Sequence, residues 1–185
     1  PETARHRHPQ ATQLGPLLRQ AREVARHRGF RAWATLVACT YAALFVFLAS
    51  GTFVFIRSFG LTPWQAGLAM ASNSVLYIAG TFVCRHWLPR HGLAGAVVRA
   101  SAFSAAGGLL MLAAAALEVH SIWAVLLPQW LFVMGHGVHQ PCGQAGAVAA
   151  FPRAAGLASA MAGCLLALVA FGVGLWLGRH MDGTP

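Results

Sequence analysis

Five long stretches of this chain carry no Asp, Glu, Lys or Arg, and no other feature constrains the fold as strongly. They cover residues 32–56, 58–84, 100–117, 119–152 and 154–178. A hydrocarbon core about 30 Å thick is crossed by roughly 20 apolar residues in a helix. Helices satisfy their own backbone hydrogen bonds in lipid, and these stretches lack the alternating pattern of barrel strands. The sequence therefore predicts an all-α integral membrane protein with five transmembrane helices.

The composition supports this fold class over a soluble one. The chain is 57% hydrophobic and 9% charged, whereas an ordinary soluble domain has roughly 25% charged residues. We expect a bundle over residues 32–179, with a cap at Thr62 and Pro63 in the first helical turn. The predicted spans cover about 33–56, 64–84, 94–117, 122–150 and 155–177.

The basic residues are distributed unequally between alternate loops. All thirteen are Arg; eleven fall on one predicted side of the membrane, and only Arg57 and Arg179 fall on the other. By the positive-inside rule this asymmetry predicts a cytoplasmic N-terminal segment, with residues 180–185 on the outer side. Arg residues beside membrane spans account for the positive charge, so no nucleic-acid partner is expected. The lipid bilayer is the expected partner.

Residues 1–31 precede the first span and predict a cytoplasmic linker. Residues 1–13 are rich in Pro, His and Arg, whereas residues 14–28 place apolar and basic side chains on opposite faces of a helix. Such a helix could lie on an anionic leaflet. It could equally be a linker helix with a solvated charged face, and the sequence leaves both interpretations open.

The fourth span concentrates the polar residues found at membrane depth. Their spacing of seven, four and four places four of them on one helical stripe: Gln129, His136, Gln140 and Gln144. A polar stripe at this depth should face protein or a water-filled cavity. Beside it, Pro141 with its neighbours Gly137 and Gly143 predicts a helix break. We therefore expect these residues to line a substrate path, with His136 and Gln140 at its centre.

Other interpretations of the intramembrane polar residues remain open. His136 and His139 could be hydrogen-bonded packing residues or metal ligands, although a zinc site needs further ligands. Asn73 could form an interhelical hydrogen bond or line the cavity, and the former is slightly favoured; Ser72 is expected to bond to its own helix. No catalytic triad, carboxylate pair or phosphate loop is present in the sequence, so no enzyme activity, cofactor or metal is expected.

Two segments closely resemble a known family. Residues 135–144 and 151–160 are similar to the tenth and eleventh helices of the Bcr/CflA drug-resistance branch of the major facilitator superfamily, and residues 60–63 resemble its turn between helices seven and eight. The resemblance implies that the chain is an incomplete C-terminal lobe holding helices seven to eleven, without helices one to six and twelve. The inner-loop motif of the superfamily is represented by Gly80, Arg85, Arg90 and Gly92, without its Asp.

The resemblance also implies a function. It predicts part of a proton-coupled multidrug efflux antiporter of the bacterial inner membrane, whose partners are protons, drug-like small molecules and the missing N-terminal lobe. The proton-binding acids of this family generally lie in that first lobe. An alternative function is a membrane-embedded scaffold or metal-handling protein that uses His136 and His139.

Overall fold

The computed structural model describes residues 14–180, and they form an all-helical bundle without a strand in this range. The predicted linker residues 1–13 and the last five residues lie outside the described part. The five helices are α1 (Leu14–Arg26), α2 (Arg28–Arg57), α3 (Pro63–Ala116), α4 (Ile122–Ala149) and α5 (Ala155–His180).

Helix α3 is two membrane-length helices folded against each other. Its only non-helical residue is Gly92, with φ +65° and ψ −179°. The rings of Trp87 and Phe103 lie 6.2 Å apart, whereas 16 residues of straight helix would separate them by about 24 Å. A positive φ costs Gly little, so this one residue reverses the chain. We call residues 63–91 the first arm of α3 and residues 93–116 the second arm.

The boundary between these arms differs from the predicted one. The sequence places a loop over residues 85–92, but the first arm continues as helix through Pro89 to residue 91. Arg90 and His86, four residues apart on this exposed helix end, are joined by a 2.9 Å hydrogen bond. Such pairs stabilise a solvated helical turn, so the helix extends beyond its apolar span and only Gly92 interrupts it.

Side chains define the beginnings of two helices. The predicted cap at Thr62 is confirmed: its hydroxyl accepts from Gln65 N at 3.3 Å, and Gln65 Oε1 accepts from Thr62 N at 3.0 Å. This reciprocal pair is a capping box, followed by Pro63. Helix α2 begins five residues before the predicted span, because His27 Nδ1 accepts from Phe30 N at 3.3 Å and caps it.

Three helices among the described residues, α2, α3 and α5, are long and apolar enough to cross a membrane by length and composition. Helix α4, with 28 residues, is not one of these three, and Gln129, His136 and His139 lie within it. It occupies the interior of the bundle, packed against both arms of α3 and against α2 and α5. Burial therefore separates Gln129, His136 and His139 from lipid, as polar residues at membrane depth require.

Candidate functional site

Backbone contacts hold α4 between the two arms of α3. A Cβ atom at Gly137 would lie 2.6 Å from the Tyr77 carbonyl oxygen and 3.0 Å from Gly80 Cα on the first arm. On the second arm, a Cβ atom at Gly135 would lie 2.9 Å from the Ala100 carbonyl oxygen. Small residues permit such approach between membrane helices. These contacts fix the rotation of α4, and with it the direction of its polar side chains.

His136 lies inside the bundle between two aromatic rings. It is 2% exposed; its ring stacks on Phe132 with centroids 6.4 Å apart and planes 9° apart, and it lies 6.0 Å from the Tyr77 ring. Its Nδ1 atom is buried without a hydrogen-bond partner among the described residues. The imidazole is thus enclosed by aromatic rings, and its Nδ1 atom is available to hydrogen-bond a further group.

His139 faces the second arm of α3 instead. Its Nε2 lies 3.4 Å from Ser101 Oγ and its Nδ1 lies 3.5 Å from Ser104 Oγ. These separations are at the long end of hydrogen bonding. The two histidines therefore have different neighbours, and the described residues contain no group of three or more His, Cys, Asp or Glu that could hold a metal ion.

Gln129 borders a cavity of about 460 Å³ between α2, the second arm of α3 and α4. Most of its wall is apolar, with Phe47 and Phe55 from α2 and Phe132 from α4. The Gln129 side chain is 3% exposed, and its Nε2 atom has no partner among the described residues. Of the predicted stripe, Gln129 alone borders this cavity.

The remaining stripe residues are less buried. Gln140 and Gln144 are both half-buried, and Gln140 Oε1 is enclosed without a partner among residues 14–180. Four buried side-chain N or O atoms among the described residues have no hydrogen-bond partner. Three of them are on the predicted stripe of α4, in Gln129, His136 and Gln140. The fourth, Asn73 Oδ1, is on the first arm of α3, one turn from Tyr77.

Of two neighbouring polar residues on the first arm, the structure contradicts the predicted role of Asn73 and confirms that of Ser72. The Asn73 amide donates to the carbonyl oxygens of Ala69 and Met70 in its own helix, at 3.3 and 3.2 Å, so the favoured interhelical bond from Asn73 is wrong for the described residues. The Ser72 hydroxyl donates to the Ala69 carbonyl oxygen of its own helix at 2.6 Å, as predicted, and it also accepts from Trp130 Nε1 of α4 at 2.8 Å. A buried indole N–H needs an acceptor. The Ser72 hydroxyl supplies that acceptor across the contact between α3 and α4.

The predicted helix break at Pro141 is wrong. Helix α4 runs continuously from Ile122 to Ala149 with both Pro128 and Pro141 inside it. Membrane helices tolerate proline where neighbouring helices support the backbone, and the arms of α3 flank α4. Gly137 and Gly143 act in packing: Gly137 contacts the first arm, and a Cβ atom at Gly143 would overlap the Val37 side chain of α2.

The four positions matched to the inner-loop motif are also separated in the structure. Gly80 is not in a loop, because it is buried within the first arm, where a Cβ atom would overlap the Met134 carbonyl oxygen. Arg85 and Arg90 are exposed along the end of that arm, and Gly92 forms the reversal. Only the last three positions lie at the connection between the arms.

Tyr77, Phe132 and Ser104 were not predicted as site residues, although each contacts an α4 histidine. A signal was present for two of them. Phe132 precedes His136 by four residues, and Tyr77 follows Asn73 by four, so each shares a helical face with a recognised polar residue. Ser104 carries no such signal, because only the folding of the second arm places it beside His139.

These features define a multi-pass α-helical membrane protein with a polar interior enclosed by apolar surfaces. The chain belongs to the Major Facilitator Superfamily, whose family model matches residues 1–175. It is therefore a membrane transporter sequence, in agreement with its all-helical fold and membrane-length helices. Neither a curated protein nor a solved structure matches the chain.

Proposed function

We propose that this chain is part of a proton-coupled exporter of drug-like small molecules in the Bcr/CflA branch of the superfamily. In this proposal α2, the two arms of α3, α4 and α5 correspond to helices seven to eleven of the C-terminal lobe. The resemblance of residues 135–144 and 151–160 supports the branch. The membrane-spanning stretches contain no Asp or Glu, so the proton-binding acids are assigned to an N-terminal lobe that completes the transporter.

The row of unpartnered polar atoms on α4 carries this proposal. A buried donor or acceptor without a partner costs about 1–3 kcal/mol, yet Gln129, His136 and Gln140 each retain one on the same helical face. Substrate and water are the partners that would satisfy them during a transport cycle. In this mechanism His136 and Gln140 hydrogen-bond the substrate, while Tyr77 and Phe132 supply apolar contact. No covalent bond changes, so the residues bind and orient only.

The architecture is compatible with alternating access. In this proposal α2 and the two arms of α3 correspond to one three-helix repeat, and α4 and α5 correspond to two helices of a second repeat. Transporters of this architecture place substrate near the bilayer midplane, between repeats that rock against each other. Helix α4 begins the second repeat and packs against the first, so a substrate held by α4 would lie where the repeats meet.

Substitution of the two central stripe residues tests the proposed site. We expect His136→Leu and Gln140→Leu, made in the full-length transporter, to reduce export of some substrates more than others while membrane abundance is unchanged. Their side chains supply hydrogen bonds that individual substrates use to different extents. Efflux of several fluorescent drugs should be measured with abundance on immunoblots.

Leu127→Ala is the matched control, because Leu127 is on α4 but exposed outward. It should change no substrate selectively. An equal loss for every substrate with reduced abundance would instead identify His136 and Gln140 as packing residues. Unchanged transport would remove both from the site.

The orientation of the chain is a second testable part of the proposal. The eleven-to-two Arg distribution supports a cytoplasmic position for α1, the reversal at Gly92 and residues 151–154. Single cysteines at positions 58 and 120 should react with an impermeant reagent added outside, and those at positions 89 and 152 should not. All four positions are exposed, so burial does not account for the difference. The opposite labelling pattern would refute the orientation.

A further inference from the structure

Helix α1 is attached to the membrane bundle by one side only. Val24 is 1% exposed and belongs to a cluster with Phe30 and Ala34 of α2 and with Ala158 and Ala162 of α5. Val24 is the only fully buried residue of α1. Because α2 begins two residues after α1 ends, the cluster fixes α1 at the end of the bundle where α2 and α5 begin.

Part of the apolar face of α1 remains exposed beside this contact. Leu14 is 74% exposed and Leu18 is 67% exposed. At 100° per residue these two side chains lie within 40° of each other, with Ala25 between them. They point away from Val24 by roughly 80–120° around the helix. The described protein therefore leaves an apolar ridge open beside the contact that anchors the helix.

Basic side chains form the neighbouring face of the same helix. Arg19, Arg22 and Arg26 are all exposed and fall within about 60° of one another. Glu23 is the only acidic residue of α1, so the helix carries a net charge of +2. An apolar ridge bordered by Arg side chains is the pattern of a helix that lies in a membrane interface.

We propose that α1 binds the surface of an anionic lipid leaflet, with Leu14 and Leu18 among the upper acyl chains and its three Arg side chains on lipid phosphates. The attachment through Val24 supports lipid as the occupant, because it places the helix where the spanning helices begin. The Arg face supplies charge complementarity to anionic headgroups. Each Arg near such a surface strengthens binding by roughly fivefold, so all three contribute roughly 100-fold.

Fluorescence at two positions of α1 tests this inference in the full chain. An environment-sensitive dye is attached to a single cysteine at position 18 or at position 23, after Cys39, Cys84, Cys142 and Cys164 are replaced by Ala. The protein is reconstituted into phosphatidylcholine vesicles with or without phosphatidylglycerol. With phosphatidylglycerol we expect blue-shifted emission at position 18, quenched by nitroxide groups on the acyl chains, and water-like emission at position 23.

Charge variants separate lipid binding from general effects on the fold. Replacing Arg19, Arg22 and Arg26 by Gln should abolish the blue shift at position 18 and its dependence on phosphatidylglycerol. Replacing Arg85, Arg90 and Arg99 by Gln removes the same charge elsewhere and should leave the shift unchanged.

Two outcomes would overturn the inference. Water-like emission at position 18 in both lipid mixtures would show a solvated linker helix. A blue shift at position 18 that is insensitive to lipid nitroxides and to phosphatidylglycerol would show that protein, from another lobe or another copy, covers the ridge.

Discussion

Helices α4 and α5 are both rich in glycine, but their glycines have opposite environments. Thirteen of the 28 residues of α4 are buried, against three of the 26 residues of α5. The glycines at 135, 137, 143 and 146 of α4 all meet a neighbouring helix at distances that exclude a Cβ atom. Those at 156, 163, 172 and 178 of α5 have no atom of another described helix within 4 Å of a Cβ position.

This difference shows that glycine content alone does not identify a packing face. Gly174 and Gly178 form a GxxxG pattern, yet the closest approach at Gly174 is 3.7 Å to the Phe45 ring, and Gly178 meets nothing within 4 Å. The glycines of α4 form no GxxxG pattern. They are effective because two arms of α3 and helix α2 converge on them, which brings the polar stripe into the interior.

The largest expected effect is a difference in stability between glycine-to-alanine variants of the two helices. Gly137→Ala places a methyl group 2.6 Å from the Tyr77 carbonyl oxygen, which is backbone and cannot rotate away. Such overpacking costs about 1–3 kcal/mol. Gly163→Ala meets no neighbour and should gain up to about 1 kcal/mol from helix propensity. Thermal unfolding in detergent should give a lower midpoint for the first variant and an equal or higher one for the second.

Gly80→Ala supplies an independent check of the same contact from the opposite helix. It should resemble Gly137→Ala, because Gly80 faces Met134 and Gly137 of α4. Equal unfolding midpoints for all three variants and the parent protein would contradict the close approach of α3 and α4.

The sequence predicted the helices well because their signals are local. An uncharged stretch, a Thr62 cap and a following Pro63 act within one or two turns, and α4 and α5 begin where expected. The interruption after the first arm of α3 was placed too early for the same reason. Pro89 favours a helix end by its local effect on the backbone. The helix nevertheless continues through Pro89, and the chain reverses only at Gly92.

The sequence predicted the arrangement of the candidate site in part, because its residues depend on tertiary contacts to different extents. The spacing of Gln129, His136 and Gln140 places them on one face, and the structure leaves a polar atom of each unpartnered. By contrast, spacing could not show that Gly80 packs against α4, or that Ser72 rather than Asn73 faces Trp130. Which of two adjacent polar residues meets the next helix depends on rotation, and the glycine contacts fix that rotation.

The smallest expected effect concerns two serine hydroxyls, one that contacts α4 and one that is exposed on α5. Ser72→Ala removes the acceptor of the Trp130 indole N–H, a bond between α3 and α4. Hydrogen bonds between membrane helices contribute about 0.6 kcal/mol on average, so we expect a destabilisation of roughly that size. Ser159→Ala is the matched control, since Ser159 is exposed on α5, and it should leave the unfolding free energy unchanged.

A double-mutant cycle shows whether that small loss belongs to the bond between Ser72 and Trp130. Trp130→Phe removes the donor and retains an aromatic ring, and the double variant should be less destabilised than the sum of the two single variants. Folding free energies from reversible unfolding in mixed detergent supply the three differences. The expected coupling of about 0.6 kcal/mol would place the Ser72 hydroxyl against α4. A coupling of zero would mean that the two helices are rotated differently about their glycine contact, and the direction of the α4 stripe would have to change with them.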